Sequence, residues 1–268
     1  MSSRHYSLSD VIRSAINWFL VGTVTFVLFF PVLIYFLVSL FFDRDRRNIH
    51  PWISLWAKTI LVVCPLMRVH VEGEDRLKGS GTCVLVANHQ SLADIIAVLH
   101  LSHPFKFIAK REIYWIPFLG WSLSLAGYIP LVRGDQKSRK AAAQKARGYL
   151  ERGVSVLFFP EGTRSRDGEI QSFKAGAFKL ATETAATVVP IVIHGTRDLL
   201  PKGKHVFTHC VEVIVKVGEP QRPHGKENHA VEEFCASVRA EMVASLKEIR
   251  ARRQIDRDDL SVPQLRVT

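Results

Sequence analysis

Asn88-His89-Gln90-Ser91-Leu92-Ala93-Asp94 stands between two apolar runs. Thr82 to Ala87 leads in, rich in Val and short enough for a buried strand. Ile95 to Leu99 leads out, at helical spacing. His89 is therefore expected in a loop at the carboxyl end of a strand, where open α/β sheets bind ligands. Asp94 falls inside the first helical turn. A histidine backed by a carboxylate is the general-base pair that acyl-transfer chemistry uses to activate a nucleophile. Ser91-x-x-Asp94 also reads as a helix capping box, and that alone accounts for the aspartate.

A second loop raises the chemical reading above the capping one. Phe159-Pro160-Glu161-Gly162-Thr163-Arg164-Ser165 follows another apolar run, Val154 to Phe159, that reads as a buried strand. Gly162 permits a positive φ or a close backbone approach. Arg164 offers a two-pronged donor suited to phosphate, and Lys174 follows shortly after. The plainer alternative is an ordinary turn with a surface ion pair between Glu161 and Arg164.

Together these motifs resemble the glycerolipid acyltransferases of the 1-acylglycerol-3-phosphate acyltransferase type. That family carries Asn-His-x4-Asp and then Phe-Pro-Glu-Gly-Thr-Arg, in this order and at about this separation. The resemblance covers roughly residues 50 to 220. It implies that a basic residue before a second motif and an Arg after it match Lys110 and Arg133, with Pro117 and Gly120 between them. It implies substrate-binding roles for Lys110, Arg133, Glu161, Gly162, Thr163 and Arg164, with Glu161 and Gly162 shaping the pocket. Val189-Pro190-Ile191 is similar to a fourth motif. Many members read Phe-Ile-acid before the Arg, whereas this chain has Pro130-Leu131-Val132. Glycerol 3-phosphate, a lysophospholipid and a lyso-aminolipid therefore stay open as acceptors beside 1-acylglycerol-3-phosphate.

Working outward, the chain has 268 residues, enough for one α/β domain with an appendage. Its net charge is +11 and its pI near 9.7, which suits anionic partners. Basic and aromatic residues do not interleave in a nucleic-acid-binding motif, which ranks nucleic acid low as a partner. Cys64, Cys83, Cys210 and Cys235 are scattered, so neither a zinc site nor a disulfide framework is indicated. The pairs His100/His103 and His205/His209 lack completing ligands and read as non-metal residues.

Trp18 to Phe42 carries no charge and is long enough to cross a hydrocarbon core. It is too long for a signal peptide, and Asp43-Arg44-Asp45-Arg46-Arg47 stands where a cleavage site would. Pro31 is expected to kink the helix or turn it back. Trp52 to Met67 is a second apolar stretch, broken by Lys58, with Trp52 and Trp56 suited to an interface. The expected organisation is a membrane-associated helical segment at 1–67, a catalytic domain at 68–252 and a loosely ordered tail at 253–268. The charge distribution places the domain on the cytoplasmic face.

Within the domain, Val69–Val71, Phe105–Ala109, Thr187–Ile193 and Val211–Val217 read as strands. Pro190 is expected to mark an edge strand or a bulge. The charge-free stretch Tyr114 to Val132 is punctuated by Pro117, Gly120, Gly127 and Pro130, and so reads as soluble-domain interior rather than a transmembrane span. Residues 137–151 read as a basic, solvated helix and Phe173–Thr182 as another. Glu219 to Asn228 reads as a polar linker. Val231, Phe234, Val238, Met242 and Leu246 recur at helical spacing, so a last helix packs on the domain.

The fold expected is a mostly parallel α/β sheet flanked by helices, with an N-terminal hydrophobic helical membrane segment. The function expected is acyl transfer from acyl-CoA or acyl carrier protein to a lysophospholipid hydroxyl. His89 would act as base and Asp94 would orient it, with no bound cofactor or metal. A membrane esterase is the rival enzyme, but it lacks a Gly-x-Ser-x-Gly elbow. A non-catalytic membrane-surface binder is the other rival, and it would tolerate loss of His89.

Overall fold

The computed structural model describes residues 7–200, 203, 206, 207 and 210–261, the last six as backbone. In chain order the helices and strands begin with α1 (Leu8–Ser39), α2 (His50–Val63), β1 (Met67–Glu72), α3 (Asp75–Lys78), β2 (Cys83–Ala87), α4 (Asp94–Val98) and β3 (Phe105–Lys110). A 3₁₀ turn, Arg111–Trp115, precedes α5 (Leu119–Leu125), β4 (Ile129–Leu131), α6 (Gln136–Glu151) and β5 (Ser155–Phe158). Then come α7 (Gly176–Thr184), β6 (Thr187–His194), α8 (Thr196–Leu199), β7 (Val211–Val217) and α9 (Asn228–Ser261).

The seven strands form one sheet in the order β1-β7-β6-β2-β5-β3-β4. Every pairing is parallel except β6 with β7. The central strands β2 and β6 read as nearly unbroken apolar runs because both faces of the sheet are covered. On β2, Cys83, Leu85 and Ala87 enter one core with α2 and α4, while Val84 and Val86 enter the other with α6, α7 and α9. Val231, Phe234, Val238, Met242 and Leu246 all lie in that second core, as their spacing predicts.

Three local expectations are corrected. Pro190 lies on β6, the third strand of seven, so it does not mark an edge. It tolerates an interior place because the β7 ladder slips beside it. Ile191 pairs with Val217 but Val188 with Gln221, so three steps on β6 face four on the neighbouring segment. The missing N–H falls at that bulge. Second, α1 runs through Pro31 to Ser39 without turning back. Third, α9 continues through Ser261, past the Arg252 at which loose structure was expected. Arg252 pairs with Glu72, and Arg253 donates to the Glu212 carbonyl at 2.7 Å. Residues 262–268, and the His205/His209 pair, lie outside the described residues.

α1 opens on a capping box, with Ser7 Oγ accepting from Asp10 N and Asp10 Oδ2 accepting from Ser7 N. It is the one helix among the described residues long and apolar enough to cross a membrane. Its inner side meets α2 in antiparallel fashion: Trp56 Nε1 donates to Thr25 Oγ1 at 3.0 Å. Ile53 and Ala57 of α2 in turn belong to the same core as β2 and β6.

One buried lysine ties this helical pair to the sheet. Lys106 on β3 is 1% exposed, and its Nζ donates to the carbonyls of Arg46 and Ala126 at 2.6 and 2.7 Å. Burial pulls its pKa down to about 7, with Arg46 and Lys145 adding to the fall and Asp43 opposing it. An unfolded lysine holds its proton to about pH 10.4. Between those values the unfolded chain binds more protons, so this residue makes stability rise with pH. The unfolding free energy of wild type relative to that of Lys106→Met should therefore rise from about pH 7.5 to about 9.5, by up to about 1.4 kcal/mol per pH unit. A difference that stays flat over that window would show that Lys106 keeps its proton in the fold.

Candidate active site

Strand order brings the site together. β6, β2, β5, β3 and β4 are consecutive and parallel, so their carboxyl ends line one edge of the sheet. The residues just beyond or at those ends are Thr196, His89, Arg164, Lys110 and Arg133. Asn88 fixes the turn out of β2, donating to the Ile193 carbonyl at 2.9 Å and accepting from Ile193 N at 2.7 Å.

His89 Nδ1 lies 2.6 Å from Asp94 Oδ2. The same oxygen accepts from Gln90 N at 2.7 Å and Ser91 N at 2.9 Å, and Oδ1 accepts from Thr196 Oγ1 at 2.5 Å. Asp94 is 0% exposed, so four donors converge on a carboxylate with about four lone-pair positions. Because a carboxylate only accepts, the proton of the imidazole sits on Nδ1 and the lone pair on Nε2. The capping-box reading is only half present. Asp94 accepts from Ser91 N, but Ser91 Oγ donates to the Leu200 carbonyl at 2.8 Å, and no side chain caps α4.

The second loop grips His89 rather than forming an isolated turn. Glu161 Oε1 accepts from His89 N at 2.8 Å, and Ser165 N donates to the His89 carbonyl at 2.8 Å. The Phe159 ring stacks on the imidazole, centroids 4.3 Å apart. Glu161's other oxygen accepts from Gln171 N at 3.2 Å. Its carboxylate is thus engaged by backbone amides rather than by a surface pair with Arg164. Burial pushes its pKa up, against the pull of the His89 and Gln171 amides. Gly162 has φ +69°, a left-handed conformation that favours glycine, and the Lys174 side chain crosses beside it, where a Cβ would lie 2.8 Å from Nζ.

His89 lines a mainly apolar cavity of about 800 Å³. Lys110, Arg133, Gly162, Arg164 and Lys174 line it too, whereas Glu161 is packed behind the wall and Thr163 is exposed beside it. Arg164 has its pKa lowered, first by burial and then by Arg133, which places the two guanidinium groups within electrostatic reach of each other. Lys110 also pairs with Glu112 at 2.9 Å. The cavity continues between α1, α2 and the sheet, past Phe29, Val32, Ile53 and Trp56. Such a site can hold an anion at its polar end and aliphatic chains along the rest. His100 and His103 spend their rings elsewhere, on the Ile96 carbonyl and on Ser155 Oγ.

Thr196 and Phe159 are the participants that sequence reasoning missed. Phe159 stood inside the quoted loop, its ring's place unreadable. Thr196 carried a weak signal: it follows Gly195 at the end of an apolar strand, as His89 does after β2. Gly195 has φ +100°, and a Cβ there would run into the Glu212 carbonyl.

The acyltransferase family model matches residues 68–194. The chain is 39% identical over 209 residues to a chloroplastic 1-acyl-sn-glycerol-3-phosphate acyltransferase of Arabidopsis thaliana, covering 77% of this chain and 57% of that one. It thus spans little more than half of that relative's length. It is 32% identical to the 1-acyl-sn-glycerol-3-phosphate acyltransferase of Saccharomyces cerevisiae, covering 76% of this chain and 68% of the yeast protein. The crystal structure of a 1-acyl-sn-glycerophosphate acyltransferase from Thermotoga maritima superposes with a TM-score of 0.69, at 28% identity. That match covers 90% of this chain and 98% of the other.

Proposed function

Because this chain belongs to the acyltransferase family, we propose that it moves a fatty acyl group from a thioester donor to the free hydroxyl of 1-acylglycerol-3-phosphate, giving phosphatidic acid. The observation that carries this reading is the shared cavity. One wall presents the His89 imidazole held by Asp94, while Arg133 and Arg164 line the same cavity.

In this mechanism His89 Nε2 takes the proton as the acceptor hydroxyl attacks the thioester carbonyl. Asp94 holds the tautomer and stabilises the imidazolium. The tetrahedral intermediate expels the thiolate, which takes that proton from the imidazolium. No acyl-enzyme forms, because the acceptor attacks directly. Arg164 and Arg133 hold the acceptor phosphate, with Lys110 and Lys174 near it. Glu161 acts on the position of His89, and Gly162 gives the backbone its left-handed turn beside Lys174. The donor is acyl-CoA or acyl carrier protein, both anionic and both suited to the positive chain.

Arg164 supplies the test of acceptor recognition. Lys cannot reproduce a bidentate fork on phosphate. Arg164→Lys should raise the acceptor KM, and Arg164→Ala should raise it further, with kcat falling much less than kcat/KM. The donor KM should hardly move. A two-substrate titration of the folded variants reads this. A raised donor KM with an unchanged acceptor KM would assign Arg164 to the donor instead.

Membrane association rests on α1. Its outward residues, among them Ile16, Phe19, Val27, Ile34 and Val38, are exposed in the folded chain, a surface that water does not favour. Arg44, Arg46, Arg47, Lys58 and Arg68 would keep the catalytic domain on the cytoplasmic side. Full-length protein should stay with membranes through a high-salt wash and leave them only in detergent. A protein that is soluble without detergent would defeat this part of the reading.

A further inference from the structure

The stretch from Ile113 to Val132 carries no charged residue, and it is not interior throughout. Trp115 is 74% exposed, and Ile116 and Trp121 are each 48% exposed. They belong to a lip between the 3₁₀ turn and α5. Its shape is specific. Phe118 has φ +61° and ψ −50°, and Leu119 N donates to the Pro117 carbonyl at 2.7 Å, a tight γ-turn that is strained for a phenylalanine. This turn goes with a Phe118 ring lodged against α1. Its centroid is 4.9 Å from that of Phe26, 5.4 Å from Phe29 and 5.0 Å from Trp121.

The lip is therefore one surface with the exposed apolar side of α1, where Phe26 and Phe30 are themselves open. Lys110, Arg111 and Glu112 precede it and Arg133 follows it, a net positive flank of the kind expected where a chain dips into a headgroup layer. Tryptophan favours that layer, having an apolar body and a polar N–H. Ile116 lines the cavity while being half exposed, as does Leu92 next to the His89 loop, so the lip is part of the cavity's rim.

We infer that Trp115–Trp121 is a second membrane-contact element, set in the lipid surface beside α1, and that a lipid acceptor passes over it from the bilayer to His89 without crossing water. The second half rests on the acyl-transfer reading; the first does not. Lipid is the favoured occupant, because the lip continues a charge-free face on a helix long enough to span a bilayer.

The test uses the full chain in vesicles of phosphatidylcholine and phosphatidylglycerol. Cys210 is exposed and the other three cysteines are buried, so a Cys210→Ser background leaves an introduced cysteine as the accessible thiol. An environment-sensitive dye on Trp115→Cys should emit as from an apolar medium and be quenched by nitroxide-bearing acyl chains. The same dye on Glu233→Cys, on α9 across the sheet, should report water. Water-like emission at 115 overturns the proposal. So does apolar emission without lipid quenching, which would mean cover by protein, such as a second copy. In the kinetic arm, Trp115→Glu should raise the KM for a long-chain acceptor in vesicles about tenfold, as losing roughly one buried side chain's worth of apolar contact predicts. The KM for a short-chain acceptor dissolved in water should stay within about twofold of wild type. An equal change for both acceptors overturns the entry route. If wild type acylates neither acceptor, the functional reading falls, and the dye result still decides whether the lip is in the membrane.

Discussion

His89→Ala is expected to lower acyl transfer by about 10²- to 10⁴-fold while the chain stays folded, the usual cost of losing a positioned general base. The fold should tolerate the change for a local reason. Without the imidazole, Asp94 Oδ2 still accepts from Gln90 N and Ser91 N, and Oδ1 from Thr196 Oγ1. No buried charge is left without donors, so the large penalty for an orphaned group does not arise. The loop backbone is also held from outside by Glu161 and Ser165. The measurement is single-turnover transfer beside a thermal melt. Turnover like wild type in a folded His89→Ala chain would take His89 out of the mechanism.

Asp94→Asn is expected to be as damaging to turnover and worse for stability. An amide would turn an NH₂ group toward donors on one side or the other. If it faces Gln90 N, Ser91 N and His89, donor meets donor, and Nδ1 is favoured as the acceptor, which leaves the proton on the nitrogen that must receive one. The analogous tautomer error in hydrolytic triads costs about 10⁴-fold. Mismatching a fully buried group adds about 1–3 kcal/mol of destabilisation. Thr196→Val separates the two effects, because it removes one donor to Oδ1 and leaves the Nδ1 contact intact. Its kcat should lie between those of wild type and Asp94→Asn. Asp94→Asn turning over like wild type with only a lowered Tm would reduce Asp94 to a structural role.

Sequence by itself determined the local units. The apolar runs at Thr82–Ala87 and Thr187–Ile193 lack an alternating polar face because both faces of the sheet are covered, and that is visible in one dimension. The same holds for the strand–loop–helix around His89 and the helical stripe from Val231 to Leu246, whereas the contact of His89 with Asp94 stood beside a capping-box reading until the fold decided it. The breaks at Pro117 and Gly120 likewise ruled out a spanning helix between Tyr114 and Val132. Pro190 shows the limit. A proline states that one ladder hydrogen bond is missing, but not whether the gap lies at an edge or at a slip beside an interior strand.

Tertiary structure alone decided which loops meet. Thr196 lies far along the chain from Asp94, and Glu161 far from His89, yet each pair is in hydrogen-bond contact. They meet because β6 and β5 flank β2 in parallel, so three carboxyl ends fall side by side. Periodicity records which face of an element is buried, and it carries no record of strand order. That order is set by how the whole set of apolar faces is covered at once, α1, α2, α4 and α5 on one side and α6, α7 and α9 on the other. For the same reason Lys106, a polar residue in a strand-like run, gave no sign that its ammonium would be enclosed under the Arg46 and Ala126 carbonyls. Those two acceptors come from separate parts of the chain and face one another only once the helical pair has docked.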